Sequence, residues 1–214
     1  MNARRKLLLS VILVGIALSE RLFFDLGPNI ELITVATLLA GVYLGWPYSF
    51  FVPFLTLAIS DISKGNTSIF LFTWSAYLII GASGLLIRRF HLNKSKLLGA
   101  SFAAALFSSV FFYLFTNFGV WLLGWYPPTF AGLTACYLMG LPFLKLNLIG
   151  NLIFVPLGFT VFEMGRLLVA SARHAGLPPA APDAQHLRAG DPASSGFRLS
   201  PKASRLGRND GKRS

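Results

Sequence analysis

The sequence predicts an all-α integral membrane protein: six transmembrane helices in a bundle, a short extra helix on the outer face, and a disordered C-terminal tail. Three observations carry this. Only 13% of the 214 residues are charged and 54% are hydrophobic, whereas a soluble domain carries about 25% charged residues. The stretches 32–60, 65–87, 97–144 and 146–162 hold no Asp, Glu, Lys or Arg, and are too many and too long for a water-soluble core. The basic residues gather at Arg4, Arg5 and Lys6, in the loop from Arg88 to Lys96, and from Arg166 onward. The net charge of +11 therefore reads as the positive-inside pattern of a multi-pass protein of the bacterial cytoplasmic (inner) membrane. Lipid is the expected surrounding; nucleic acid is not an expected partner.

Taken in order, Arg4, Arg5 and Lys6 precede the apolar run 7–18, a combination that a signal peptide ending at Ala17-Leu18-Ser19 also shows. A retained first helix over 7–24 is preferred, because apolar residues continue past Glu20-Arg21. The turn at 25–31 holds Asp25, Asn29 and Glu31. The run 32–60 would measure about 43 Å as one helix, against a hydrocarbon thickness of about 30 Å. Gly45-Trp46-Pro47 divides it, which predicts two short spans over 32–45 and 48–60. A loop over 61–68 and a fourth span over 69–87 follow. The fifth span is expected over 97–118. Beyond it, Gly119, Gly124, Pro127 and Pro128 predict irregular backbone, with Trp121, Trp125 and Tyr126 as residues that favour the membrane boundary. The segment 129–144 is short, contains Gly140 and Pro142 and ends at Lys145, so it reads as the outer-face helix. The last span is 146–169.

Six crossings place all three basic segments in the cytoplasm together with both termini, and leave Glu20, Asp25, Glu31 and Asp61 outside. Counting 32–60 once, or 129–144 as a crossing, breaks that pattern. Two regions result: a transmembrane domain, 1–172, and a basic cytoplasmic tail, 173–214, with eight basic and three acidic residues and too few branched apolar side chains to fold.

No catalytic constellation is legible. The histidines are His91, His174 and His186 and the single cysteine is Cys136, so no metal site, disulfide, acid–base pair or cofactor is expected. No phosphate-cradling glycine loop is present, so transport by this chain would need another subunit to hydrolyse ATP. The candidate substrate-binding residues are Asn29, Glu31, Asp61, Thr116, Asn117, Trp121, Trp125 and Tyr126. Irregular backbone at membrane depth is tolerated where it is buried in protein or lines a wet cavity. Asn117 and Asp61 would supply hydrogen bonds or charge, Trp121 and Tyr126 a stacking surface, and Asn29 and Glu31 a lid. The plainer readings are a dipole-facing cap for Glu31, a solvated helix end beside Lys64 for Asp61, packing for Trp74 and Tyr77, and an aromatic belt. Glu163 and Arg166 read as an i,i+3 pair. Small-residue stripes (Ala36/Ala40, Gly41/Gly45, Gly15/Ser19, Gly99/Ala103, Ser101/Ala105/Ser109) read as close helix contacts.

The pattern Pro28-Asn29-x-Glu31, Ala40-Gly41-Val42-Tyr43-Leu44-Gly45, Ser60-Asp61, Thr116-Asn117-Phe118-Gly119-Val120-Trp121, Tyr126-Pro127-x-Thr129 and Leu148-x-Gly150-Asn151 resembles an uncharacterised family of bacterial membrane proteins related to the substrate-binding S components of energy-coupling factor transporters. The likeness covers about 28–163 and departs at Asn151, where that family usually has an acid. It implies six helices, an outward pocket closed by the loops after spans one, three and five, and a transmembrane coupling protein with two ATPase subunits as partners. The start Met1-Asn2-Ala3 argues against the cobalt- and nickel-type members, which carry a histidine after the first methionine. The expected function is capture of a small polar or cationic, ring-containing nutrient. The rival is a structural protein that scaffolds an envelope complex and binds no ligand.

Overall fold

In a computed structural model of the chain, residues 2–24, 27, 29–65 and 68–175 are described, with the side chains of 173–175 excepted. The expected tail from residue 176 onward lies outside them, as do Asp25, Leu26, Pro28, Asn66 and Thr67. The described residues are helical, without strands. Residues Met1–Val169 form one compact unit, and Ala170–Ser214 a second of which only the end of the last helix is described.

Among the described residues six helices follow one another. α1 is Ala3–Ser19, extended by a π-helical turn, Glu20–Phe24. α2 is Ile33–Leu39 with a π-helical turn, Ala40–Leu44. α3 is Tyr48–Lys64, α4 Phe70–Arg89, α5 Lys94–Leu122 and α6 Phe130–Ala175. Four of these stretches are long and apolar enough to cross a membrane: Ala3–Phe24, Phe70–Arg89, Lys94–Leu122 and Phe130–Ala172.

The division of 32–60 occurs where the sequence places it. Gly45 ends α2 at φ 78°, a left-handed conformation that glycine adopts without strain. α2 itself is the central post: every residue of Ile33–Leu39 is buried, with Ala40, Gly41 and Leu44 beyond. It packs against α1, α3 and α4. Its length of about 18 Å suits a helix enclosed by protein better than one facing lipid. The small residues serve this enclosure. A methyl group on Gly41 would stand 2.9 Å from Gly81 O and Gly84 Cα, so α2 and α4 touch backbone to backbone. Ser101, Ala105 and Ser109 of α5 are likewise fully buried. Gly15 and Gly99 meet nothing within 4 Å, so these two glycines make no such contact.

Three expectations need correction. The outer-face helix over 129–144 and the last span are one continuous helix, α6, with Pro142 and Pro156 inside it. α5 explains why a proline does not end it, because contacts to that helix hold both sides of Pro142. Before it, Tyr113 Oη donates to Tyr137 O at 2.7 Å and Tyr137 Oη to Leu114 O at 2.9 Å. After it, Asn151 Nδ2 donates to Ser109 Oγ at 2.9 Å. One missing N–H is tolerated when neighbouring helices hold the backbone. Second, α5, which holds Thr116 and Asn117 as expected, stays helical past residue 118 through Leu122, so Gly119 is a helix residue; the irregular part is only the connection to α6. Gly119 is there because the Phe72 ring packs against its bare backbone. Third, Asp61 lies within α3, not in a loop.

Candidate substrate cavity

Near the end of the bundle where α1, α3 and α5 finish lies a cavity of about 600 Å³, within the usual range for small-molecule sites. Seven of the eight candidate residues line it: Asn29, Glu31, Asp61, Thr116, Asn117, Trp125 and Tyr126. Trp121 does not. Its Nε1 donates to Pro127 O at 3.0 Å, so the indole braces the connection to α6 and is not part of the wall.

Arg21, which the sequence reading passed over, is the centre of the wall. The π-turn after Ser19 widens the helix by one residue, and both Glu20 and Arg21 are held inward: Glu20 is buried and the Arg21 side chain is 14% exposed. Arg21 Nη1 meets Glu31 Oε2 at 2.6 Å, Nε donates to Ser60 Oγ at 3.1 Å, and Nη2 stands 3.8 Å from Asp61 Oδ1. One guanidinium thus ties α1 to α3 and to Glu31 in the turn before α2. The available signal was a charged residue inside an apolar run, which is costly unless it has partners or a task.

The carboxylates have other partners than expected. Tyr77 Oη donates to Glu31 Oε2 at 3.0 Å and Trp74 Nε1 to Asp61 Oδ2 at 2.7 Å. Both rings therefore orient acids as well as packing. Lys64 is not among the partners of Asp61. The cap at the start of α2 is Glu20: its Oε2 accepts from Leu32 N at 3.0 Å, leaving Glu31 for Arg21.

Asn29 sits in the turn before α2 at φ 62°, a conformation asparagine tolerates better than most residues. Its carbonyl accepts from Asn147 Nδ2 at 3.0 Å, which fastens the turn to α6. On α5, Thr116 Oγ1 donates to Phe112 O at 2.7 Å and Asn117 Nδ2 to Tyr113 O at 2.8 Å. Asn117 Oδ1 lies against Gly140 and 3.9 Å from Cys136 Sγ. Only a residue without a side chain lets α6 approach the amide this closely. Phe70 and Phe112 add aromatic surface. Among the described residues no group of His, Cys, Asp and Glu could hold a metal ion.

The far end of α2 carries a second polar contact. Tyr43 Oη donates to Glu163 Oε1 at 2.7 Å, and Arg166 Nη1 meets the same oxygen at 2.7 Å with its guanidinium 5.5 Å from the Tyr43 ring centre. The i,i+3 pair read from the sequence is present.

No curated protein and no solved structure matches the chain. A family model matches residues 1–173, and the chain therefore belongs to DUF6580, a family of unknown function.

Proposed function

We propose that the chain is the substrate-binding subunit of an uptake system in the bacterial inner membrane, comparable to an S component of an energy-coupling factor transporter. In this reading six helices cross the bilayer, both termini are cytoplasmic, and the cavity opens outward. The cargo is a small polar or vitamin-like nutrient. A transmembrane coupling protein with two ATPase subunits would supply the energy. The observation that carries the reading is the cavity itself. Residues from α1, α3, α4, α5 and α6 and from the connections between helices converge on about 600 Å³ that combines charge, amide and aromatic surface. Polar groups that costly inside a membrane bundle are retained where they serve a ligand or an ion. A ligand-free scaffold would gain more from filling the same volume with apolar side chains.

The test is mass spectrometry of small molecules that co-purify with the protein in detergent, compared with Asn117→Ala and Gly140→Leu. The second variant pushes a branched side chain toward Asn117. The proposal expects one compound enriched on the native protein and lost from both variants at unchanged expression. Finding no enriched compound, or equal amounts on all three, would return the scaffold reading to first place.

A further inference from the structure

We infer that the ligand class of this cavity is a small organic monocation, a protonated amine carried on a ring, and that Asp61 is its anchor. The inference rests on the uptake reading and narrows it. The hydrogen-bonding groups on the helical walls are unevenly engaged. The hydroxyl groups there and one N–H of the Asn117 amide already donate to the protein. Thr73 Oγ1 donates to Phe70 O at 3.0 Å, Thr116 to Phe112 O, Asn117 Nδ2 to Tyr113 O, and Tyr77 to Glu31. The Arg21 guanidinium is the group that would receive an anion, yet carboxylates already face it on two sides, Glu31 at 2.6 Å from Nη1 and Asp61 at 3.8 Å from Nη2, and Ser60 takes its Nε.

The same walls carry acceptors with little to hold them. Asn117 gives one Nδ2 hydrogen to Tyr113 O, and its Oδ1, with Cys136 Sγ 3.9 Å away, keeps acceptor capacity. Asp61 holds one strong bond, to Trp74 through Oδ2. Its Oδ1 has only Ser60 Oγ at 3.4 Å and Arg21 at 3.8 Å, the second too long for a hydrogen bond. The charges agree, since one guanidinium faces two carboxylates across the lining. Further donors, from Asn29, Trp125 and Tyr126, belong to the connecting segments. Rings supply the rest of the match: Phe70, Phe112, Trp125 and Tyr126 line the same space, and a cation within about 6 Å of an aromatic face is attracted to it. A carboxylate oxygen without a close partner and π-faces favour positive charge; two carboxylates against one guanidinium disfavour an anion. The carboxylates and the rings are separate features and point the same way.

The experiment titrates the purified full chain in detergent with phenethylamine, phenethyl alcohol and phenylacetate, which share a ring and differ in terminal charge at neutral pH. The readout is binding affinity. The amine is expected to bind tightest, and Asp61→Asn to weaken it about tenfold or more, with Asp61→Glu close to the native protein. The Asn carbonyl can still accept from Trp74, which protects the fold. Trp125 is 56% exposed, so Trp125→Leu provides a second variant without a folding penalty; it should weaken the amine about threefold and the alcohol less. The inference is overturned if the alcohol or the acid binds as tightly as the amine, or if the amine ignores Asp61→Asn. Equal losses for amine and alcohol in Trp125→Leu, or no binding by any of the three, would also overturn it. In each of those cases the uptake reading is judged separately, by whether a neutral or anionic compound co-purifies.

Discussion

α2 carries a tyrosine–glutamate–arginine triad near each of its ends, and the two behave differently. Near its start, Tyr77, Glu31 and Arg21 come from α4, the turn before α2, and α1. Near its finish, Tyr43 of α2 meets Glu163 and Arg166 of α6. The hydrogen bonds and ion pairs are of similar length. The exposure of the arginine separates them: 14% for Arg21 and 61% for Arg166. A guanidinium that keeps most of its water needs only one partner, and the second triad is a staple between two helices. A guanidinium taken out of water needs several, and Arg21 collects Glu31, Ser60 and Asp61 from separate segments. Gathering those partners brings three helix ends together around a space. The first triad is therefore a cavity wall, made by the same three residue types.

The contrast can be broken most forcefully at the arginines. Arg21→Leu leaves Glu31 and Asp61 without their shared counter-charge. Removing one partner of a largely buried pair costs about 3–5 kcal/mol, so denaturation in detergent should show a large loss of stability. A loss no greater than that of Arg166→Leu would mean that the cavity triad is solvated like its counterpart. The tyrosines come next. Tyr77 is 2% exposed, and Tyr77→Phe removes its bond to a charged acceptor, worth about 1.5–3 kcal/mol. Tyr43→Phe removes a comparable bond from a half-buried ring, so the expected cost is about half as large. Double-mutant cycles with Glu31→Gln and Glu163→Gln would measure each coupling directly. The smallest effect belongs to Arg166→Leu, below about 1 kcal/mol for an exposed pair. That effect should shrink further at high salt, where exposed charges are screened, while the effect of Arg21→Leu should persist.

Local signals were readable from the residues alone. Gly45-Trp46-Pro47 interrupts an apolar run with a glycine and a proline, and α2 ends there. Glu163 and Arg166 lie three apart on one helix, and their ion pair needs no more than helical geometry. Asn117 stands out as an amide in an apolar stretch, and it lines the cavity. Local signals also misled in two places. Gly119 and Pro142 carry the marks of helix breakers, yet each lies inside a helix, because Phe72 fills the space over the glycine and contacts to α5 hold the backbone around the proline. Trp121 belongs to the most recognisable motif in the chain and still bonds to its own connection.

The sequence by itself determined the helical class, the length and apolar character of the long helices, and the division near residue 45, because each depends on composition and on neighbours a few positions apart. The tertiary structure alone decided that Arg21, Glu31, Asp61 and Tyr77 share one wall, that Glu20 and not Glu31 caps α2, and that α6 runs unbroken past Pro142. Those outcomes depend on which partner relieves a desolvated charge or a missing backbone bond. The partner lies on another helix, at a distance that no local spacing encodes.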